Sequence, residues 1–283
     1  MLTFDSAPAF YVDETTLREA KEFILSRQPY APKLAIILGS GLGTFADAIQ
    51  QELVIPTRDI PHYPISTVSG HAGRWIFGVI AGKKIIALAG RVHTYEGYPI
   101  SRVAFPVHLL AELGVSRLIV TNAAGGLNRQ FVPGELMLID DHINLMFANP
   151  LRGQHNKNWG ARWPDMYQPY DRGLQDIALQ VAQELKITLR RGVLVASKGP
   201  SYETAAEVRM FQRLGGDAAT MSTVPEVLAA VSRGMNVLGI SCITNLCTGL
   251  TPHKLDHSEV TEVANRISAR FAELVREIVR KVG

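Results

Sequence analysis

A chain of 283 residues with 47% hydrophobic content is long enough to bury a full core within one large α/β domain. The formal net charge is only +3 and no Lys/Arg run or aromatic-basic stripe is present, which argues against nucleic acid; no apolar run reaches the roughly 20 residues that cross a bilayer. Cys242 and Cys247 lie in an apolar run with no further metal ligands beside them, so they read as buried reduced thiols of a cytoplasmic protein, and the N-terminus M-L-T-F-D-S-A-P-A-F lacks the basic start and apolar core of a signal peptide.

The first predicted element is a helix over about Glu14 to Arg27, followed by a proline-bounded loop. Lys33 to Leu38 reads as a buried strand that runs straight into Gly39-Ser40-Gly41-Leu42-Gly43, with a helix beginning near Thr44. Glycines between a strand and a helix let backbone N–H groups approach an anion. The spacing is neither that of a dinucleotide fingerprint nor, lacking a following Lys, that of a P-loop, so anion binding, a plain tight turn and dinucleotide binding all stay open here. Two strands, Trp75 to Ile80 and Lys84 to Leu88, are joined by Ala81-Gly82 and preceded by Ser69-Gly70-His71-Ala72-Gly73. Gly90 to Tyr98 closes the second, and strand alternation puts Arg91, His93 and Tyr95 on one side. Arg offers phosphate a planar fork of donors, His one donor, and Tyr a partner for a sugar hydroxyl; a surface ion pair beside a core aromatic would give the same residues.

A helix over about Ser101 to Leu113 leads to the strand Arg117 to Val120 and to Thr121-Asn122-Ala123-Ala124-Gly125-Gly126, read as a second small-residue turn at a strand end. After the strand Leu136 to Asp140 comes Asn149 to Tyr170, rich in Trp, Pro, Asn and Arg and long for an idle loop. Trp159, Trp163, Met166 and Tyr167 in it are costly to expose on a monomer.

The stretch Ser197 to Val227 organises the rest. A strand from Gly192 to Ser197 turns through Gly199-Pro200, presents Ser201-Tyr202-Glu203 and enters a helix at Thr204, whose apolar residues Ala206, Met210, Phe211 and Leu214 recur at helical spacing before Gly215-Gly216. Asp217 to Thr220 is a further strand, Met221-Ser222 follow, and Pro225 sits in the first turn of the next helix. Two strand-to-helix turns thus present Tyr202-Glu203 and Met221-Ser222 to one rim, where open α/β sheets bind ligands. The strand Val237 to Ile243 ends at Thr244-Asn245; by itself Asn245 reads more often as a cap or turn residue, and His257, in a loop before the last helix, as an exposed His or a neighbour of a cap. That helix places Val260, Val263, Ile267, Phe271, Leu274, Val275 and Ile278 on one face.

Gly39 to Gly43, Gly70-His71-Ala72-Gly73, Gly90 to Gly97, Thr121 to Gly126, Gly199 to Thr204 and Met221-Ser222-Thr223-Val224-Pro225-Glu226 together, in this order, resemble the trimeric low-molecular-mass purine nucleoside phosphorylases, from about Lys33 to the C-terminus. The resemblance implies a single domain over 1–283, with a central mixed twisted β-sheet flanked by helices. It implies phosphorolysis of 6-oxopurine ribonucleosides or deoxyribonucleosides, such as inosine and guanosine, to free base and pentose 1-phosphate. No metal and no organic cofactor is implied, inorganic phosphate being co-substrate. Ser40, His71, Arg91, His93, the backbone at Ala123, and Ser222 match phosphate ligands. Tyr95, Met221 and His257 match sugar contacts, and Tyr202, Glu203 and Asn245 the base site, with Asn245, Glu203 and His93 implied in catalysis. Trp159 matches a ring that crosses to the neighbouring subunit of a homotrimer. Tyr202 and Trp159 stand where vertebrate members carry Phe, and Leu246 where they carry Lys, which leaves fine base preference open.

A xanthosine-preferring phosphorylase fits the same residues. A methylthioadenosine phosphorylase is expected to carry Asp in place of Asn245. An oxidoreductase would need Gly-x-Gly-x-x-Gly and an acidic residue about 20 positions on. A non-catalytic nucleoside-binding protein would not need Arg91 and Ser222.

Overall fold

Leu34–Leu38 is apolar at every position and forms β1, a strand buried on both faces. A strand of that kind belongs in the middle of a sheet covered from both sides. The computed structural model describes residues 12–40, 42–68, 73–153, 155–251 and 257–282, the side chains of 43, 44 and 257–261 excepted. In chain order the elements are α1 (Glu14–Leu25), β1, a 3-10 turn (Gly43–Ala48), β2 (Gln50–Pro56), β3 (Arg74–Ile80) and β4 (Lys83–Ala89). Then come α2 (Ile100–Val103), α3 (Phe105–Glu112), β5 (Arg117–Gly126), β6 (Leu136–Asn144), α4 (Arg172–Glu184) and β7 (Leu189–Ala196). The chain continues through α5 (Ala205–Arg213), β8 (Ala218–Thr220), α6 (Val224–Ser232), β9 (Asn236–Leu246) and α7 (His257–Val282).

Among the described residues the nine strands form one mixed sheet in the order β2-β3-β4-β1-β5-β8-β7-β6-β9, and β9 pairs again with β5. Five strands therefore close on one another while β2, β3, β4 and β1 extend the sheet to one side. β1, β4, β5 and β9 run parallel, so their carboxyl ends share one rim. Alternation along β1 feeds two cores: Ala35 and Ile37 pack with α1, α3 and α6, and Leu34, Ile36 and Leu38 with α4, α7 and the 3-10 turn. The expected α/β architecture, a mixed sheet with helices on both faces, is the one observed.

Local departures have local causes. The single helix expected over Ser101 to Leu113 is two, because Pro106 has no N–H to donate back and its ring opposes a continuous turn; Ala104 lies between them. The helix expected near Thr44 is only a six-residue 3-10 segment. Thr121 to Gly126 is not a turn but the second half of β5, paired along its length with β9, with a bulge between Ala124 and Gly125. Asn245 likewise lies inside β9, and His257 opens α7 instead of preceding it. On α5 the buried pair is Val208 and Phe211, whereas Met210 and Leu214 are exposed. On α7 Ile267, Phe271, Leu274, Val275 and Ile278 are buried as expected and Val263 is half-buried; Val260 falls outside the described side chains.

Candidate active site

A cavity of about 380 Å³ opens where β1, β4, β5 and β9 end and the turns after β7 and β8 fold over them. Gly39 and Ser40 enter it from β1, Arg91, His93 and Tyr95 from the segment after β4, and Ala123 from β5; Tyr202 and Glu203 follow β7, Met221 and Ser222 follow β8, and Asn245 is the next-to-last residue of β9. Two glycines make this convergence possible. A Cβ on Gly39 would sit 2.6 Å from Asn122 Cα, and one on Gly125 would sit 2.7 Å from Cys247 Sγ and 3.3 Å from Asn245 Nδ2. Backbone cannot retreat as a flexible side-chain tip does, so the approach of β1 to β5 requires the absence of a side chain at 39.

The two turns expected to share a rim do so, because β7 and β8 run parallel; β8 is antiparallel to β5 and carries Ser222 back alongside Asn122 and Ala123. Thr220 Oγ1 donates to Ala123 O at 3.3 Å there, and Asn122 Nδ2 to Thr223 Oγ1 at 2.9 Å. Arg91, 5% exposed, donates from Nη1 to Ser222 Oγ at 3.1 Å and Thr223 Oγ1 at 3.0 Å, and from Nη2 to Thr121 O. Glu226 Oε2 lies 3.3 Å from the same Nη1. A guanidinium so anchored offers a fixed charge at the cavity wall beside the Ser222 hydroxyl.

Arg91, His93 and Tyr95 do reach the cavity together, yet strand alternation is not the reason: β4 ends at Ala89 and the Tyr95 region is a 3-10 turn over Thr94–Glu96. Glu96 is what organises it. Its carboxylate accepts from the His93 backbone N–H at 2.7 Å, lies 3.0 Å from His93 Nδ1, and accepts from Thr67 Oγ1 at 2.9 Å and Ser66 Oγ at 3.2 Å. Burial by itself would raise its pKa; the hydrogen bonds from Thr67 and His93 prevail and hold the carboxyl below its ordinary range. An ionised Glu96 accepts only, so Nδ1 carries the His93 proton shared with it. Tyr95 stacks on His93 with centroids 4.6 Å apart, and burial, helped by the Glu96 charge, pushes its hydroxyl up to about 12, which keeps it a neutral donor at physiological pH.

At the other end the groups are less charged. Glu203 accepts from Ser197 Oγ at 3.3 Å, and burial raises its carboxyl above the ordinary range. Asn245, 9% exposed, accepts from Thr244 Oγ1 at 2.9 Å and donates one amide N–H to Leu246 O at 3.2 Å, which orients the amide against Gly125. Tyr202, 39% exposed, stands at the mouth. Cys242 and Cys247 are buried free thiols, and Cys247 contributes to the cavity wall.

Of the residues singled out in the sequence, Ser40, Arg91, His93, Tyr95, Ala123, Tyr202, Glu203, Met221, Ser222 and Asn245 all line this one cavity. His71 and the side chain of His257 lie outside the described residues. Trp159 does not line it: the ring lies tilted 4.8 Å from His108 of its own chain, under Arg233 at 5.2 Å. Glu96, Thr121, Asn122, Thr223 and Glu226 fall inside the sequence motifs but carry no assigned role there, since each acts through a contact that only the fold supplies. Among the described residues no group of three or more His, Cys, Asp or Glu could hold a metal.

Residues 33–280 match the phosphorylase superfamily. The chain is 47% identical over 272 residues to purine nucleoside phosphorylase 1 of Geobacillus stearothermophilus, covering 96% of this chain and 99% of that one. It is 49% identical over 263 residues to purine nucleoside phosphorylase 1 of Bacillus subtilis (strain 168), covering 93% and 97%. Among solved structures, Schistosoma purine nucleoside phosphorylase in complex with hypoxanthine superposes with a TM-score of 0.91 at 34% identity over 97% of this chain and 100% of that one. The Schistosoma mansoni enzyme in complex with adenosine superposes with 0.91 at 35% identity over 96% and 99%.

Proposed function

Since the chain belongs to the phosphorylase superfamily, among the purine nucleoside phosphorylases, we propose that it catalyses the reversible phosphorolysis of 6-oxopurine nucleosides, inosine and guanosine foremost. One observation carries the reading: a buried arginine paired with a serine hydroxyl shares a single cavity with a carboxylate and an amide. Breaking the ribosidic bond builds positive charge on the sugar and negative charge on the departing base. Arg91, Ser222, Ser40 and the backbone at Ala123 hold the phosphate dianion against C1′ by charge-assisted hydrogen bonds, with His93 beside them. Fixing the nucleophile there removes much of the entropy cost of a two-substrate reaction.

Tyr95, Met221 and His257 bound the sugar, and Tyr202 faces the base. The free N–H of Asn245 donates to N7 or O6 as charge develops, and Glu203, ionised, accepts from N1–H. Adenine has no N1–H, so it leaves the buried carboxylate facing a lone pair, at a cost of roughly 1–3 kcal/mol and more for a charged group. Adenosine turnover is therefore expected to fall about tenfold to several hundredfold below that of inosine. The S. mansoni relative has been seen with adenosine bound, so the discrimination expected here is a lower kcat/KM and not complete exclusion.

Phosphate is the co-substrate, and no cofactor enters the scheme. Buried free thiols suit a reducing compartment, and we place the enzyme in the cytoplasm as one domain assembled into a homotrimer. Base release from inosine, guanosine, xanthosine, adenosine and methylthioadenosine, measured with and without phosphate, tests the proposal. Base formed from inosine only with phosphate is the expected result. Release without phosphate would make it a hydrolase, binding without release a carrier, and xanthosine or methylthioadenosine as best substrate would move it elsewhere in the family.

A further inference from the structure

Glu226 does not line the cavity, yet it is 2% exposed and in contact with the groups that do. It occupies the third position of α6, one turn into the helix capped by Thr223. Thr223 has φ 72° and ψ −52°, a conformation that a β-branched residue avoids, and the Val224 N–H closes a tight turn onto Ser222 O at 2.8 Å. That turn aims the Ser222 hydroxyl. The Glu226 carboxylate pairs with Arg91 Nη1 at 3.3 Å, while Thr223 Oγ1 accepts from the same Nη1 at 3.0 Å and from Asn122 Nδ2 at 2.9 Å. One guanidinium nitrogen thus meets the Ser222 and Thr223 hydroxyls of the strained turn and the carboxylate from the first turn of α6.

We propose that Glu226 is a positioning residue of the phosphate site, tying Arg91 to the Thr223 turn so that the guanidinium and the Ser222 hydroxyl address one anion. This rests on the reading of Arg91 and Ser222 as phosphate ligands. A simpler role, a counter-charge that neutralises a buried arginine, makes the opposite prediction. If neutralisation were all, removing the negative charge would leave Arg91 more attractive to a phosphate dianion and lower its KM. If the carboxylate positions both groups, a glutamine cannot replace it. A neutral amide gives up the charge-assisted bond and can turn its NH2 group toward Arg91 Nη1, so it holds the guanidinium less firmly.

Steady-state kinetics of Glu226→Gln and Glu226→Asp, with inosine and phosphate varied separately, distinguish the two. Glu226→Gln is expected to raise the phosphate KM on the order of tenfold or more while the inosine KM stays within about twofold, and Glu226→Asp, keeping two acceptor oxygens, to recover part of the loss. A phosphate KM that falls or stays unchanged in Glu226→Gln overturns the proposal, and so does an equal rise in both KM values. Should Glu226→Gln not fold, Glu226→Asp decides: its shorter reach must raise the phosphate KM selectively, and a wild-type value refutes the idea. Arg91→Ala separates this from the reading beneath it. If Arg91→Ala leaves phosphate dependence intact, the phosphate assignment itself is wrong. If Arg91→Ala raises the phosphate KM and the Glu226 variants do not, only the role of Glu226 falls.

Discussion

In the proposed reaction Glu203 and Asn245 would divide the recognition of the base between a charge and a dipole, and each makes a separate prediction. Burial raises the Glu203 carboxyl, so on acidification it takes up a proton at a higher pH than an exposed glutamate would. The protonated form no longer accepts freely from N1–H, and the inosine KM is expected to climb as pH falls through that raised value. Glu203→Gln should lack this acidic limb, being unable to titrate; a limb that survives in Glu203→Gln belongs to another group. Asn245→Asp should lower inosine use and raise the relative use of adenosine. A protonated carboxyl there donates to N7 while its other oxygen accepts from the 6-amino group. An inosine-to-adenosine ratio equal to that of the wild type removes Asn245 from the specificity site. Glu203 was readable in advance from the strand-to-helix turn that presents it, and Asn245 through the family resemblance. Glu226 was not, since its significance is a contact with Arg91, 135 residues away in the chain.

At the scale of elements, the helices show when periodicity suffices. α7 carries one long apolar stripe, and Phe271 at its centre is 1% exposed, meeting Phe45 edge-on at 6.1 Å. Phe271→Ala removes that ring from a core formed with the 3-10 turn that follows β1. A loss of about 3–5 kcal/mol is expected. Urea melts check it, and a loss below about 1 kcal/mol would mean that the cavity collapses or that α7 is not held as described. α5 is shorter and carries two apolar stripes, one through Val208 and Phe211 and one through Ala206, Met210 and Leu214. Only the presence of Leu127, Val195 and Ala219 underneath selects the first. Thr121 to Gly126 misled for a related reason. Small residues and glycines usually mark turns, but here they let β5, β8 and β9 approach closely enough to pair.

For the whole molecule, the decisive region is the long segment Asn149 to Tyr170. Asn156 and Asn158 bind Glu14 of α1, and Trp159 packs between His108 and Arg233, so the middle of the loop is fastened to its own chain. Trp163 is 84% exposed, Tyr167 79%, and Phe147, just before the loop, 90%. Three large rings in water on one stretch favour burial against another copy. A cyclic trimer would let each subunit give one surface and receive another through a closed heterologous contact. Sedimentation is expected to find a trimer, and Trp159→Ala to raise the nucleoside KM well above its effect on phosphate. A fully active monomer would dispose of the shared site. A Trp159→Ala enzyme with a lowered melting temperature but an unchanged nucleoside KM would confine the ring to its own chain.

Glycine punctuation and apolar runs determined, from the sequence alone, the α/β class and the positions of most strands, and the family resemblance carried by the six motifs implied most of the cavity's residues. Those features are local: each depends on what a residue and its near neighbours can adopt. Closure of β9 onto β5, the antiparallel return of β8, the choice of stripe on α5 and the Glu96 and Glu226 contacts were decided only in three dimensions. Each depends on which surfaces meet across large separations in sequence, and a carboxylate acquires its role from the partner that burial brings to it.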